Sequence, residues 1–311
     1  MKYELTIFGV KDTTENIARF IHENIRPVNL IVTINSSVTA KNQVSGYKGL
    51  DILTEKYGIP IFEADHYGLT DEKTQAFFAE NEFALGISMG WQRLVPKSVL
   101  DRFQYGVFGF HGNSGYLPFG RGRSPLNWSI LLGDTRFNLN LFQYDEKADS
   151  PNVFATEMFS LTPHDDIRTA QYKNMICSKN LIRKLLVAYN EAAEKGGSIP
   201  IKTESKDFDS WFDKRTAADG KIDFRRRTRE IHNLVRAVAA PFPGAWAKIG
   251  DVKITIWEAH PFDEMIDFSA YEPGEVIDIF DEKLVIRTID GSLLIDRYEC
   301  TVDIHINDVM K

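Results

Sequence analysis

The stretch Phe108-Gly109-Phe110-His111-Gly112-Asn113-Ser114-Gly115-Tyr116-Leu117-Pro118-Phe119-Gly120-Arg121-Gly122-Arg123-Ser124-Pro125-Leu126-Asn127-Trp128 decides how the chain is read. Its apolar opening predicts a strand over 106–110, and the glycine, proline and arginine that follow predict a loop with His111 at its start. Glycines permit backbone conformations closed to other residues and let main-chain N–H groups approach a ligand closely. One imidazole and two guanidinium groups delivered by a buried strand mark a reaction centre. The plain alternative is a histidine that caps backbone groups, and the glycine and arginine beside it weigh against that.

Outward from this stretch, strand-like and helix-like segments alternate over the first two hundred residues, the pattern of a mostly parallel sheet covered by helices. Strands are predicted over 3–10, 28–34, 59–62, 83–88 and 137–144, and helices over 14–24, 49–57, 71–80, 96–103, 125–132 and 165–194, with 36–48 a polar loop. Open sheets of this kind bind ligands outside the carboxyl ends of their strands, where His111 falls. Gly196-Gly197-Ser198-Ile199-Pro200 stops the long helix, and the polar stretch 201–209 links to the second part. There a helix over 227–238 precedes alternating strands, with turns expected at Asp281-Glu282 and Asp290-Gly291, which suggests a small closed barrel. The expected class is α/β: a Rossmann-like, mostly parallel sheet with helices on both faces over 1–200, then a smaller OB-like β-barrel domain, linker included, over 201–311.

At 311 residues the chain is too long for one minimal core, and two domains are expected. No basic and apolar segment precedes the first strand, and no run reaches membrane-spanning length, so a cytoplasmic location without membrane attachment is the expectation. Cys177 and Cys300 are the only cysteines, which excludes a disulfide framework and a cysteine-rich metal site. His66, His164 and His260 each stand far from a second ligand at metal spacing, so no metal is expected. The net charge of -7 argues mildly against a nucleic-acid partner, although Arg225-Arg226-Arg227-Thr228-Arg229 could meet phosphate locally. The oligomeric state stays open, with a homodimer among the expectations.

The residues quoted first resemble the family of formyltransferases that use 10-formyltetrahydrofolate. That family's signature is a His followed by a loop ending in Leu-Pro, then Arg-Gly, a Pro that starts a helix, and an Asp well downstream. Here these are His111, Leu117-Pro118, Arg121-Gly122, Pro125 and Asp149. Arg121 to Trp128 is most similar to members that formylate amino sugars on nucleotide carriers. Ser88-Met89-Gly90-Trp91-Gln92-Arg93 is similar to the family's folate loop, and Val235-Arg236-Ala237-Val238 with Pro241, Pro243, Gly244 and Ala245 to the start of its carboxyl-terminal domain. The likeness runs from residue 3 to about 290. Gly109 stands where the family usually has an Asn whose amide binds the formyl oxygen, the loop after His111 is about two residues longer than in the sugar-modifying members and contains Asn113, and Asp149-Ser150-Pro151 replaces Asp-Thr-Gly.

The resemblance implies formyl transfer to an amine, with 10-formyltetrahydrofolate as co-substrate and a nucleotide-linked amino sugar as acceptor. His111 would stabilise the developing oxyanion, Asp149 would hold the imidazole charged and accept the amine's proton, and Asn113 would replace the amide missing at Gly109. For Asn113, an amide that merely satisfies its own turn is an equal alternative. The pterin would lie along Ser88, Met89, Gly90, Trp91, Gln92 and Arg93, with Ile130 as an apolar wall, although Trp91 reads equally as core. Arg121 and Arg123 would pair with a pyrophosphate, and Gly9, Lys11 and Lys41 would face the acceptor. Trp211, Phe212 and Arg215 either stack on a base or anchor the linker. Methionyl-tRNA as acceptor, or a catalytically silent folate or nucleotide-sugar binder, are the competing functions.

Overall fold

In the computed structural model, which describes residues 1–42, 44, 46–146, 152–203 and 210–311, the apolar runs become the strands of a central sheet. The elements in chain order are β1 (Lys2–Phe8), α1 (Asp12–Asn24), β2 (Leu30–Ile34), α2 (Ser36–Asn42), α3 (Asp51–Tyr57), β3 (Ile61–Ala64), α4 (Glu72–Glu80), β4 (Glu82–Ser88), α5 (Lys97–Leu100), β5 (Val107–Asn113), β6 (Arg121–Gly122), α6 (Pro125–Leu131), β7 (Arg136–Gln143), β8 (Asn152–Ser160), α7 (Ile167–Lys195) and β9 (Lys202–Thr203). They are followed by β10 (Trp211–Phe212), α8 (Thr228–Ala237), β11 (Ala245–Ile249), β12 (Val252–Asp263), β13 (Val276–Phe280), β14 (Lys283–Arg287) and β15 (Ser292–Glu299).

The large sheet has the order β3-β2-β1-β4-β5-β7-β8-β9. Its first five strands pair in parallel, and β7 returns antiparallel to β5. From β1 the chain steps outward through β2 to β3, then crosses back to β4 and on to β5. Right-handed crossovers in opposite directions place their helices on opposite faces. Accordingly α1 packs with α3, and α4 with α5. The reversal of direction lies between β1 and β4, the switch point at which such sheets open a crevice beyond their carboxyl ends.

The chain divides into two compact units. The first comprises Met1–Arg121, Asn138–Met158 and Met175–Ser210, and the second Gly122–Phe137, Phe159–Asn174 and Trp211–Lys311. The first unit's core is aromatic: Phe8, Phe78, Phe83 and Phe103 are buried together with Trp91. In the second unit an antiparallel sheet of order β11-β12-β15-β14-β13 receives Ile231 and Val235 from α8. Its two edges are both bridged by the chain's last residues, Ile249 to Met310 and Glu275 to Val309.

Three segments differ from what the sequence predicts. The strand expected over 106–110 continues to Asn113, so His111 is on β5 and not on the loop beyond it. The ladder to β7 extends that far, pairing His111 with Asn140 and Asn113 with Asn138. The helix expected over 96–103 is only Lys97–Leu100. Its continuation tightens into turns, Arg102 N–H to Val99 O and Phe103 N–H to Leu100 O, which free Gln104 N–H to join Phe83 O. The polar loop 36–48 contains α2, whose first turn is closed by Asn35 Oδ1 accepting from Val38 N–H.

His232 of α8 gives the second unit a pH dependence. Burial, with the Arg236 guanidinium beside it, lowers this imidazole from its ordinary 6.5 to about 4. The unfolded chain therefore binds a proton that the folded chain refuses between those values, and stability falls as pH drops from 6.5 towards 4. The loss is about 2 kcal/mol once solvent screening of the partly exposed ring is allowed for. Urea unfolding at pH 7 and pH 4.5 should show His232→Gln losing less stability than the parent on acidification; an unchanged difference would contradict the assignment.

Candidate functional site

Gly9 follows β1 and Ser88 ends β4, the two strands that flank the switch point, and their loops are in contact. A Cβ at Gly9 would fall on Thr14 Oγ1 and Met89 O, so this close approach requires glycine. Thr14, buried in the first turn of α1, donates from its hydroxyl to Met89 O at 2.6 Å, and Met89 N–H donates to Phe8 O at 2.9 Å. Gly90 follows with φ +81°, and Gln92 N–H is held by Tyr67 Oη at 3.0 Å. The loop 88–93 is thus fixed at Met89 to β1 and α1 and at Gln92 to Tyr67, between β3 and α4.

His111 lies one pleat repeat beyond this loop. Ser88 pairs with Gly109, and side chains two residues apart on a strand share a face, so Ser88, Gly109, His111 and Asn113 point the same way. The His111 ring is 7% exposed, and its Nε2 is 2.7 Å from Gly120 O. A carbonyl only accepts, so Nε2 carries a hydrogen in this arrangement. Facing it across the ladder, Asn140 Oδ1 accepts from Thr156 Oγ1 at 2.7 Å, and Asn138 Nδ2 donates to Gly115 O at 2.8 Å. The result is a buried polar stripe on one face of β5 and β7.

Both ends of the Asn113 amide are taken up by the following loop. Its Nδ2 donates to Phe119 O, and its Oδ1 accepts from Gly115 N–H at 2.6 Å. Gly120, at φ +69°, passes so close that a Cβ there would stand 2.8 Å from the Asn113 Cβ. The amide therefore does the work of a turn. The space above Gly109 is filled from elsewhere: a Cβ at that position would fall on Cε1, Cζ and Oη of Tyr144, whose hydroxyl donates to Ser88 Oγ at 3.1 Å.

The other expected residues divide between the units. In the first, Met89 and Trp91 are buried, Trp91 edge-on to Phe8 and Tyr67 as part of the core, and Arg93 is exposed with its guanidinium over the Tyr67 ring. Lys11 precedes α1 and bridges to Tyr47, Lys41 is exposed on α2, and Arg121 is half-buried with its N–H on Ser210 O. In the second, Ile130 is fully buried on α6, Arg123 is exposed, and Phe212 stacks on Trp128 while Arg215 covers the same ring. Phe212 and Arg215 thus anchor Trp128, and Trp211 is exposed. Asp149 lies outside the described residues. Among the described residues no group of three or more His, Cys, Asp or Glu could hold a metal ion, and no helix is long and apolar enough to cross a membrane. A cavity of about 660 Å³ beside the start of β5 is lined by Lys97, Gln104, Gly106, Gln143 and Tyr144, among others.

The sequence reading missed Thr14, Tyr144 and the Asn138–Asn140 pair. Asn138 and Asn140 did carry a signal, since they alternate with Phe137, Leu139 and Leu141. Asn113→Ala should leave Phe119 O and Gly115 N–H without this partner and destabilise the protein by about 2 kcal/mol in urea unfolding. A change below about 0.5 kcal/mol would remove Asn113 from this role.

Residues 214–308 match the family described as formyl transferase, C-terminal domain. The whole chain is similar to an N-formyltransferase from Helicobacter canadensis, solved in complex with folinic acid and dTDP-3-aminofucose, at 18% identity and TM-score 0.67, covering 96% of this chain and 100% of that one. It is similar also to WlaRD, a sugar 3N-formyl transferase solved in the presence of dTDP and 5-N-formyl-THF, at 17% identity and TM-score 0.64, covering 97% and 99%. HypX from Aquifex aeolicus in complex with tetrahydrofolic acid matches at 18% identity and TM-score 0.63, over 96% of this chain, which spans 44% of the length of HypX. The match over residues 214–308 and the likeness of the chain to these structures give it the fold that the formyltransferases share.

Proposed function

We propose that this protein is an N-formyltransferase that moves a formyl group from 10-formyltetrahydrofolate to the amine of a nucleotide-linked amino sugar, in the making of surface glycans. The observation that carries this reading is His111: a buried imidazole, pinned by its Nε2–H to Gly120 O, on the face of β5 just beyond the switch-point loop 88–93. The folate suits that loop, whose Gly90 turn at φ +81° would bring main chain against a flat heterocycle. When bound, 10-formyltetrahydrofolate supplies an activated formyl carbon. Attack by the amine forms the new C–N bond and moves the carbonyl π pair onto oxygen. Return of that pair expels N10 of the folate, which gains a proton as the amine loses one.

His111 stabilises the transient oxyanion, and its bond to Gly120 means that little reorganisation is needed at the moment of reaction. Asp149 is assigned the proton from the amine on the resemblance alone. Arg121 is assigned to the acceptor's diphosphate, where a guanidinium fork matches two phosphate oxygens. The dTDP-linked amino sugar held by the Helicobacter enzyme favours this acceptor class over methionyl-tRNA.

The test is to incubate the protein with 10-formyltetrahydrofolate and a panel of dTDP- and UDP-linked amino sugars, following tetrahydrofolate release and product mass. At least one sugar should be formylated, and His111→Ala should lower kcat by about 100- to 1000-fold. Formylation of methionyl-tRNA alone, weakening steeply with salt, would replace the acceptor. Folate binding with no product from any acceptor would reduce the protein to a binder.

A further inference from the structure

We propose that the Tyr144 phenol, seated in the side-chain space that Gly109 leaves empty and hydrogen-bonded to Ser88, is the second donor to the formyl oxygen, acting beside His111. The proposal rests on the reading of the protein as a formyltransferase and names a residue that neither the sequence motif nor the family likeness points to.

Position 109 shares a face with His111 and lies beside Ser88, the last residue of β4. It is therefore the strand position next to the imidazole on the side of the switch-point loop. A Cβ attached there would coincide with the phenol ring of Tyr144, which would have to move aside. With the ring in this place the space beside Gly109 is filled by a long side chain from just beyond β7. Tyr144 N–H donates to Val107 O at 2.8 Å, which sets the residue opposite the start of β5. From there the ring reaches along the strand towards its carboxyl end, and the hydroxyl arrives 3.1 Å from Ser88 Oγ.

A ring packed only for volume would be served by phenylalanine, as it is at Phe142 on the same face, in contact with Tyr144 at 5.3 Å between centroids. The hydroxyl instead ends at Ser88, whose strand partner Gly109 precedes His111 by two residues on the same face of β5. Ser88 is 4% exposed, and Tyr144 is half-buried. In such a low-dielectric site a donor aimed at developing negative charge is worth far more than in water. A phenol has one hydrogen to give and two lone pairs to receive, as has the Ser88 hydroxyl, so the pair can turn a donor towards a carbonyl without leaving the other oxygen unsatisfied. No proton is transferred by Tyr144. Its hydrogen bond shortens as the carbonyl oxygen becomes negative and relaxes when N10 leaves.

The deciding variant is Tyr144→Phe, which keeps the ring over Gly109 and removes only the hydroxyl. Two readouts separate its failure from that of the parent reading. The first is kcat for formyl transfer, expected to fall about 100-fold. The second is the infrared stretch of ¹³C-labelled formyl in bound 5-formyltetrahydrofolate, expected to lie at lower frequency in the parent protein than in the variant. The double variant Gly109→Asn with Tyr144→Ala, which returns an amide to the vacated space, is expected to recover part of the lost rate. If Tyr144→Phe binds the folate, keeps kcat within twofold and leaves the formyl stretch unmoved, the assignment of Tyr144 is wrong while the formyltransferase reading stands. If the parent protein neither binds 5-formyltetrahydrofolate nor forms product, both are wrong.

Discussion

A strand buried on both faces must satisfy inside the protein every polar group it carries, and β5 carries His111 and Asn113 on one face, 7% and 0% exposed. Each such group left without a partner costs on the order of 1 to 3 kcal/mol. The loop after the strand meets that demand by folding back: Gly120 O meets the imidazole, and Phe119 O and Gly115 N–H meet the amide. The same bonds that keep β5 stable therefore set the plane of the His111 ring. Orienting the His111 ring and offsetting its burial cost are one structural event here.

The setting of that face comes from sheet topology. The strand order reverses between β1 and β4, the switch point at which sheets of this kind bind ligands. Thr14 draws the start of α1 against the main chain at Met89, and Gly9 lets them touch. β5 is the next strand out from β4 and extends past it to Asn113. The Tyr144 ring comes in over Gly109 from just beyond β7. Four segments far apart in sequence are thus brought together.

The alternation of the first five strands with helices was legible because each strand is a nearly continuous apolar run bounded by polar turns. His111 was legible for the chemistry of its neighbours. The end of β5 was not, since Gly112 and Asn113 favour turns, and only the ladder to Asn138 and Asn140 holds them extended. α2 escaped notice because it buries a single residue, Val38, and shows no apolar stripe. β8 reads Asn-Val-Phe-Ala-Thr-Glu-Met-Phe-Ser and is mostly half-exposed, which blurs its period. The link between Gly109 and Tyr144 could not be read at all: from the sequence Gly109 is an omission, whereas in the fold it is room made for a ring.

The proposed function requires His111 to line the folate site. Titrating protein labelled with ¹⁵N-histidine with 5-formyltetrahydrofolate and following the imidazole resonances by NMR tests this directly, since the chain has only 7 histidines and the His111→Asn variant identifies the one in question. The His111 signals should shift saturably, and further than those of any other histidine. Saturable binding that leaves His111 unmoved while another imidazole responds would remove His111 from the folate site.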